Sequence, residues 1–369
     1  MFTPPYCPYK PCNNHHDPHR PFFVRHGTYR VGCRPHPVPR FRCRSCRRTF
    51  SRQTFRVDYR DHRPHLNQAL LRLITSGLGL RQSSRNLNLS LRCTELKFRK
   101  LARHLRRLNL SLRRPVREGL RLHFDEFETF EADRSVRPLT VPVLIESDSR
   151  YVIWAESAPI RPRGRMTKLR LARIQRSESI HGKRRNGSER AVRRTLKRAL
   201  PLLGTCKKVV LHSDEKLTYP PVARGVFGAG NLDHRRTSSK LARLTWNPLF
   251  AINHEEAILR DLMGRLRRRS WLVSKKRRYL DLALQAHAAY RNFVRYRFNR
   301  DGESPAQLLG LMPRRLSFGE LLSWRQERGK DSIHPLSRSS ATIREWERAN
   351  GPEDQQGTQS VPKRAKGVP

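Results

Sequence analysis

Two aspartates at the ends of short apolar segments are the residues best suited to chemistry. Asp125 ends the alternating segment Leu120-Arg-Leu-His-Phe-Asp, and Asp214 ends the apolar segment Val209-Val-Leu-His-Ser-Asp. Both patterns predict β-strands. An unpaired carboxylate is costly to bury, whereas oxygen donors are the ligands that Mg²⁺ prefers. The pair therefore indicates a divalent-cation site, and two unrelated surface acids at strand ends are the alternative.

A third ligand for this site is expected on the helix that follows the second aspartate. Asn253, Glu255 and Glu256 precede the apolar stripe of that helix, which consists of Leu259, Leu262, Met263 and Leu266. The alternative is a local role, in which Asn253 is the N-cap and Glu256 completes a capping box. Such a cap does not exclude metal contact.

Neighbouring acids compete with the two aspartates. Glu126 should point away from Asp125, because successive strand residues face opposite sides of a sheet. Glu215, directly after Asp214, stays a competitor. His234 is interpreted as a polar loop residue, with contact to a phosphate as the alternative.

The cysteines near the N-terminus have the spacing of metal ligands. Cys7 and Cys12 form C-x4-C, and Cys43 and Cys46 form C-x2-C within Arg40-Phe-Arg-Cys-Arg-Ser-Cys. Two such pairs can supply four thiolates to one tetrahedral Zn²⁺, which would substitute for a core in this apolar-poor segment. One ligand could be replaced by a nearby side chain, namely His15, His16, Cys33 or His36. Free cysteines in a basic arm are the alternative.

The charge of the chain indicates a polyanionic partner. Among 369 residues, 78 Lys and Arg stand against 31 Asp and Glu, which gives a formal charge of +47. Neutralising phosphates releases condensed counterions and drives binding to double-stranded DNA without regard to sequence. No segment approaches the roughly 18 apolar residues of a membrane span, and the N-terminus does not resemble a signal peptide. We expect a soluble, cytoplasmic, nucleoid-associated protein with no membrane partner.

The elements that must position these residues predict a multidomain α/β protein. The boundaries are 1–60 for a zinc ribbon, 61–115 for a helix-turn-helix domain and 116–300 for a catalytic domain with a basic insertion at 161–190. Strands are predicted at 120–127, 139–146, 150–157 and 207–213, and long helices at 254–269 and 277–299. Residues 301–330 are predicted to be a helical accessory segment, and 331–369 a disordered tail.

Two segments are predicted to contact DNA. Helices at 66–73, 80–87 and 92–105 have helix-turn-helix spacing, with Thr94, Lys97 and Lys100 on the face that would enter a major groove. Any three-helix bundle gives the same pattern. The run 264–278 combines many bases with Trp271, which suits a DNA backbone, and a solvated basic face is the alternative.

The chain resembles bacterial insertion-sequence transposases of the DDE type with a zinc-ribbon head. The resemblance covers about residues 1–300. It depends on the cysteine pairs, on the helices at 66–105 and on Asp125 and Asp214 followed by a basic helical motif. That motif consists of Asn253, Leu259-Arg260, Arg265-Leu266, Arg268 and Ser274-Lys275.

The resemblance implies an RNase H-like catalytic domain that uses Mg²⁺ or Mn²⁺ to cleave and join DNA at terminal inverted repeats. It implies catalytic roles for Asp125 and Asp214, with Asn253 or Glu256 as the third residue. We expect Arg260, Arg265, Arg268 and Lys275 to contact DNA. Asn253 stands where many relatives have Glu, and Glu256 lies one turn further on.

Two other functions remain compatible with the sequence. A non-catalytic DNA-binding regulator, or a decayed or domesticated transposase, would use only the ribbon and the helices. An RNase H-like nuclease or resolvase would share the site without joining DNA. Transposition requires two DNA ends together, so a homodimer or higher oligomer is expected on DNA.

Overall fold

The computed structural model describes residues 2–19, 21–267, 272–299 and 301–324. The helices are α1 Asn13–His16, α2 Leu66–Thr75, α3 Leu80–Asn86, α4 Leu91–Ser111, α5 Lys168–His181, α6 Ser188–Lys197, α7 Tyr219–Phe227, α8 Phe250–Leu262, α9 Arg277–Phe293, α10 Pro305–Leu308 and α11 Phe318–Ser323. The strands are β1 Phe23–Tyr29, β2 Val38–Cys43, β3 Thr49–Ser51, β4 Arg117–Phe130, β5 Pro138–Glu146, β6 Val152–Ala155, β7 Ala158–Pro159, β8 Leu203–Asp214 and β9 Leu232–Thr237. The prediction of a mixed α/β protein is confirmed.

The N-terminal unit is a small antiparallel sheet around four cysteines. Its strands pair in the order β1-β2-β3. A small core packs beside the cysteines, and it contains Tyr6, Phe22, Phe41, Phe50 and Phe55. So small an apolar core needs additional cross-links or a metal to be stable.

The larger unit is built on a mixed sheet with strand order β6-β5-β4-β8-β9, to which β7 adds by pairing with β5. β5 is antiparallel to both β4 and β6, whereas β8 is parallel to both β4 and β9. Every β5 residue after Pro138 is buried, as expected for an apolar, β-branched strand with neighbours on both edges. The crossover from β4 to β8 therefore includes β5, β6 and the helical segment up to 197.

Helices cover both faces of this sheet. α6 and α7 pack on one face and contact each other, whereas α8 and α9 pack on the other. Ser90 caps the N-terminus of α4, because its side chain accepts a hydrogen bond from the backbone N–H of Cys93 at 3.2 Å. The buried stripe of α4 packs on α2 and α9. The helices α2 and α4 thus share one hydrophobic core with the sheet.

Two predicted segments differ from the fold. The basic insertion at 161–190, which its composition predicts to be a loop, contains α5, and the link that Gly225, Gly228 and Gly230 predict after the last strand partly belongs to α7. A search for helical periodicity misses α5 because its apolar residues do not form one stripe. The accessory segment is described to residue 324 and contains α10 and α11. The predicted disordered tail at 331–369 lies outside the described residues.

Candidate active site and metal centre

Asp125 and Asp214 lie on adjacent parallel strands in the centre of the sheet. His123 of β4 is paired with His212 of β8. Asp125 and Asp214 each follow two residues later, so both carboxylates are level and on the same face. Asp125 is also opposite Val143 of β5. The topology therefore brings the two predicted residues side by side.

The ionisation of Asp125 reflects this proximity. Burial raises the pKa of the Asp125 carboxyl, and the negative charge of Asp214 raises it further. The backbone N–H of Glu126, which donates to Asp125 Oδ1 at 2.7 Å, acts in the opposite direction. A shared cation would relieve this repulsion between like charges.

Glu256 of α8 is the third carboxylate on this side of the sheet. Its side chain is almost fully buried, and burial together with the charge of Asp125 raises the pKa of Glu256 to about 8. Oε2 accepts a hydrogen bond from Arg260 Nη2 at 3.3 Å, one turn along the helix. Oε1 is buried without a hydrogen-bond partner among the described protein atoms. An acceptor oxygen left in this way is what a bound cation or a bound proton would satisfy.

The two other candidates on α8 have different surroundings. Glu255 is fully buried and pairs with Arg291 of α9, whose Nε lies 3.0 Å from both carboxylate oxygens. This pairing gives Glu255 a structural role. The capping-box interpretation is wrong, because α8 begins at Phe250 and Asn253 lies inside its first turns. Asn253 is half-buried, and its backbone N–H donates to the Leu249 carbonyl.

The competing acids near the aspartates are directed elsewhere. Glu126 faces the opposite side of the sheet, as predicted, where it accepts hydrogen bonds from Thr140, Ser188 and Tyr219 and pairs with Lys216. These partners lower the pKa of Glu126 against the effect of burial. Glu215 is exposed beyond the end of β8.

Histidines lie directly behind the carboxylates. The rings of His123 and His212 stack with centroids 4.7 Å apart on the face that bears Asp125 and Asp214. Burial, with the neighbouring charge of His212, lowers the pKa of His123 to about 3, so this ring is neutral near pH 7. His234 is a residue of β9, and its Nε2 lies 2.8 Å from Ser213 Oγ. The interpretation of His234 as a loop residue is therefore wrong.

Arg243 is a further residue near the carboxylates that sequence reasoning missed. Its positive charge opposes the rise in the pKa of both Asp125 and Glu256. The side chain is exposed in the segment between β9 and α8. A cation facing both carboxylates and solvent can contact a phosphate brought to them. No spacing in the sequence distinguishes Arg243 from the many other arginines.

The four predicted cysteines converge in the N-terminal unit. Cys7 Sγ lies 3.6 Å from Cys46 Sγ, and Cys12 Sγ lies 3.7 Å from Cys43 Sγ. All four sulfurs lie within 4.8 Å of one another. Tetrahedral zinc with Zn–S bonds of about 2.3 Å requires sulfurs roughly 3.8 Å apart, so the cluster can bind a metal such as zinc.

The alternative zinc ligands are not needed for this set. His15 is buried, with Nδ1 2.7 Å from the Cys7 carbonyl oxygen, so it supports the chain beside a ligand.

Within the described residues, no other group of three metal-binding side chains has a spacing of 4.8 Å or less. The carboxylates of Asp125, Asp214 and Glu256 are therefore more widely spaced than the thiols.

The prediction that this face of α4 enters a major groove is wrong. Thr94 is buried and donates to the Ser90 carbonyl, and Lys97 is buried in an ion pair with Asp61 at 2.5 Å. Lys100 donates to the carbonyl of Tyr59. These side chains fix α4 to the segment after the ribbon. A helical pattern cannot distinguish such a buried lysine from an exposed one.

The short helix α3 presents exposed polar side chains. Ser83 and Ser84 face inward, which leaves a row of solvent-facing polar side chains that consists of Arg81, Gln82, Arg85 and Asn86.

The predicted DNA contacts around α8 divide into three groups. Arg265 is half-buried and donates to Ser274 Oγ at 2.9 Å and to the Tyr279 carbonyl. The prediction that Arg265 is available to contact DNA is therefore wrong. Arg260 is partly exposed beside Glu256, and Lys275 is exposed. Arg268 and Trp271 lie outside the described residues.

Comparisons with protein-family models and with curated proteins find no match to this chain. In the part of the chain that the structure describes, no helix combines the length and the apolar character that crossing a membrane requires.

Proposed function

We propose that the protein is a DDE-type transposase that cleaves and joins DNA with Asp125, Asp214 and Glu256 as its catalytic carboxylates. The observation on which this depends is the buried Oε1 of Glu256, which has no hydrogen-bond partner among the described protein atoms and belongs to a carboxyl whose pKa is raised by the charge of Asp125. A purely DNA-binding regulator has no need for a buried carboxylate, Asp125, whose charge interacts unfavourably with both Asp214 and Glu256. Such repulsion lowers stability unless a ligand relieves it.

The order of the strands supports an RNase H-like catalytic domain. Three antiparallel strands are followed by two parallel strands, with helices on both faces. The adjacent strands β4 and β8 provide the two aspartates, and the helix after the last strand provides the third acid. The resemblance of the sequence to insertion-sequence transposases implies Asp125 and Asp214, with Asn253 or Glu256 as the third residue.

The carboxylates fit Mg²⁺ or Mn²⁺ by their chemistry, since all are oxygen donors and one oxygen is unsatisfied. When bound, such ions activate the attacking oxygen and stabilise the leaving oxygen of a phosphodiester. Arg260 holds Glu256 in place from one turn away. Arg243, exposed and close enough to act on both carboxyls, would orient the scissile phosphate.

The remaining parts supply DNA binding. The cysteine cluster, with Zn²⁺ bound, would order the ribbon, whose strands include Arg40 and Arg42. The exposed side of α3 is the surface that we assign to recognition of the element ends, in place of the α4 face predicted from sequence. Two ends must be brought together, so the active species on DNA would be a dimer or larger.

The experiment is a strand-transfer assay with the DNA that flanks the gene as donor and a supercoiled plasmid as target, in Mg²⁺ or Mn²⁺. Wild-type protein should join the donor 3′ ends to the plasmid, and Asp125→Asn and Asp214→Asn proteins should not. Joining by both variants at the parental rate would refute the site. DNA binding without cleavage in any metal would favour a regulator, and cleavage without joining would favour a nuclease.

A further inference from the structure

We propose that six arginines beside the carboxylates form a binding site for the phosphate backbone of double-stranded DNA, separate from the ribbon and α3. These arginines line one open cavity of about 670 Å³ at the end of β4. We call this cavity the arginine basin, and its basic residues are Arg134, Arg161, Arg163, Arg170, Arg260 and Arg267. That this DNA is the strand undergoing reaction rests on the proposed function.

The basin has a large excess of positive charge. Glu128 is the one acidic residue among its described lining residues, and Arg163 lies 3.8 Å from it in an exposed pair. Exposed pairs of this kind contribute little to stability. Six guanidinium groups around one cavity repel one another, so the arrangement is favourable when a polyanion neutralises them. A neutral ligand or an uncharged protein surface would leave that repulsion in place.

The basin is continuous with the candidate active site. Arg260 lines the basin and also donates to Glu256. Thr129 of β4, another lining residue, is four residues beyond Asp125, which corresponds to about 13 Å along the strand. Phosphates of one DNA strand advance about 3.4 Å each along the helix axis. A duplex that presents one phosphate to the carboxylates would thus place phosphates a few nucleotides away in the basin.

The helix α5 forms the outer side of this surface. None of its residues is buried, and even the apolar residues Leu169 and Ile180 are exposed. A helix of 14 residues without a buried face gains little from the protein itself. Its basic residues Arg170 and Arg173 attach it to the body, through the Ser135 carbonyl and Asp133. The polyanion that fits the basin would also contact the basic side of α5. This helix would then gain the contacts that the protein itself does not provide.

The segment that bears the basin arginines is fixed at its far end. Arg184 pairs with the buried Glu131 at 3.1 Å and donates to the carbonyls of Ile160 and Pro138. The segment that connects β7 to α6 is therefore attached to the sheet at both of its ends. The arginines between them are held over the end of β4, which favours a formed site over a solvated basic loop.

The test measures binding of an unrelated 30-base-pair duplex by fluorescence anisotropy over a series of NaCl concentrations. Asp125→Asn protein is the background, so that no DNA is consumed. The basin variant is Arg161→Gln/Arg163→Gln/Arg170→Gln. The control is Arg190→Gln/Arg193→Gln/Lys197→Gln, which removes three exposed charges from α6 on the other face of the sheet. Zinc content and circular dichroism establish that both variants are folded.

We expect the basin variant to bind at least tenfold more weakly than the control near 100 mM salt. The slope of log K against log salt should fall by about 0.9 for each phosphate that the variant no longer neutralises, so by about 2 to 3. Equal slopes for the two variants would overturn the basin. The same would follow if the substitutions weakened binding of a single-stranded RNA of equal length as much as binding of the duplex.

Strand transfer separates the two proposals. Loss of joining in Asp125→Asn protein, with unaltered duplex binding by the basin variant, would refute the basin and leave the proposed function standing. The expected binding defect, with no joining by wild-type protein in any metal, would refute the transposase and leave the basin as a DNA-binding surface.

Discussion

The negative charge of Asp125 on β4 raises the pKa of Glu256 on α8, although 131 positions separate the two residues along the chain. Burial is the larger cause, and it is effective because α8 packs directly over β4. Asn253 carries a neutral amide, which adds no charge to the site. The ionisation of Glu256 therefore favours it over Asn253 as the third residue of the proposed site.

Glu256→Gln should reduce the rate of strand transfer by roughly 100-fold or more, because a carboxylate that stabilises a metal ion contributes several kcal/mol to the transition state. The amide retains the shape of the side chain but removes its charge. Asn253→Ala is the matched variant from the same helix, and it should stay within about threefold of wild type, since a role outside the site removes no such contribution. The rates are measured at saturating DNA, with Mn²⁺ affinity determined by calorimetry. The reverse ranking of the two variants would assign the third position to Asn253.

Removal of one thiolate should empty the cysteine cluster. Cys43→Ser protein should contain close to no zinc and lose the near-UV signal of the ribbon, because structural zinc sites contribute about 10–16 kcal/mol to folding of such small units. Cys33→Ser changes an exposed cysteine outside the cluster and should retain one zinc per chain. Elemental analysis of the dialysed proteins measures both. Full zinc occupancy in Cys43→Ser protein would show that the four thiols are not the ligand set.

The sequence was sufficient for the elements with strong local patterns. Asp125 within β4, Asp214 at the end of β8, the cysteine pairs and the helix before Leu259 were identifiable because strand alternation, ligand spacing and an apolar stripe are properties of neighbouring residues. The opposite orientation of Glu126 followed from the same alternation. These predictions depended on contacts within a few residues.

The rest depended on distant residues. Lys97 appears in the sequence as one more exposed base of a basic helix, and only Asp61, 36 positions earlier, makes it a buried ion-pair partner. Glu255 and Glu256 are adjacent in sequence, but Arg291 of α9 neutralises the first and leaves the second to Asp125. Arg243 became notable only once the fold placed it near two carboxylates.

The ion pair between Glu255 and Arg291 predicts a large effect on stability. Both side chains are fully buried, and the guanidinium also donates to the carbonyls of Tyr296 and Arg297. Glu255→Ala leaves this cation uncompensated, so we expect the free energy of unfolding to fall by about 3–5 kcal/mol. Urea unfolding followed by tryptophan fluorescence measures the change. Glu215→Gln alters an exposed acid and should stay within about 0.5 kcal/mol of wild type. Equal stability of the two variants would mean that Glu255 is not buried with Arg291.

Acid should destabilise the packing of α4 on α11 through His104. Burial lowers the pKa of His104 to about 4, and Nε2 lies 3.0 Å from the Leu321 carbonyl oxygen. An unfolded histidine has a pKa near 6.5, so between about pH 6.5 and 4 the unfolded chain binds a proton that the folded chain does not. The contribution of His104 to the free energy of unfolding must then decrease by roughly 3 kcal/mol as the pH falls through that window. Below the window this contribution decreases no further.

His104→Gln isolates this contribution, because the amide can still donate to the Leu321 carbonyl but does not titrate. The variant should be less stable than wild type at pH 7.5, and the difference should shrink by about 2 kcal/mol at pH 5. The exposed His62 provides the control, since His62→Gln should follow the wild-type curve throughout. Urea midpoints at the two pH values measure both variants. A difference in stability between His104→Gln and wild type that is the same at both pH values would mean that His104 binds its proton in the folded protein as readily as in the unfolded chain. It would contradict the burial of this ring between α4 and α11.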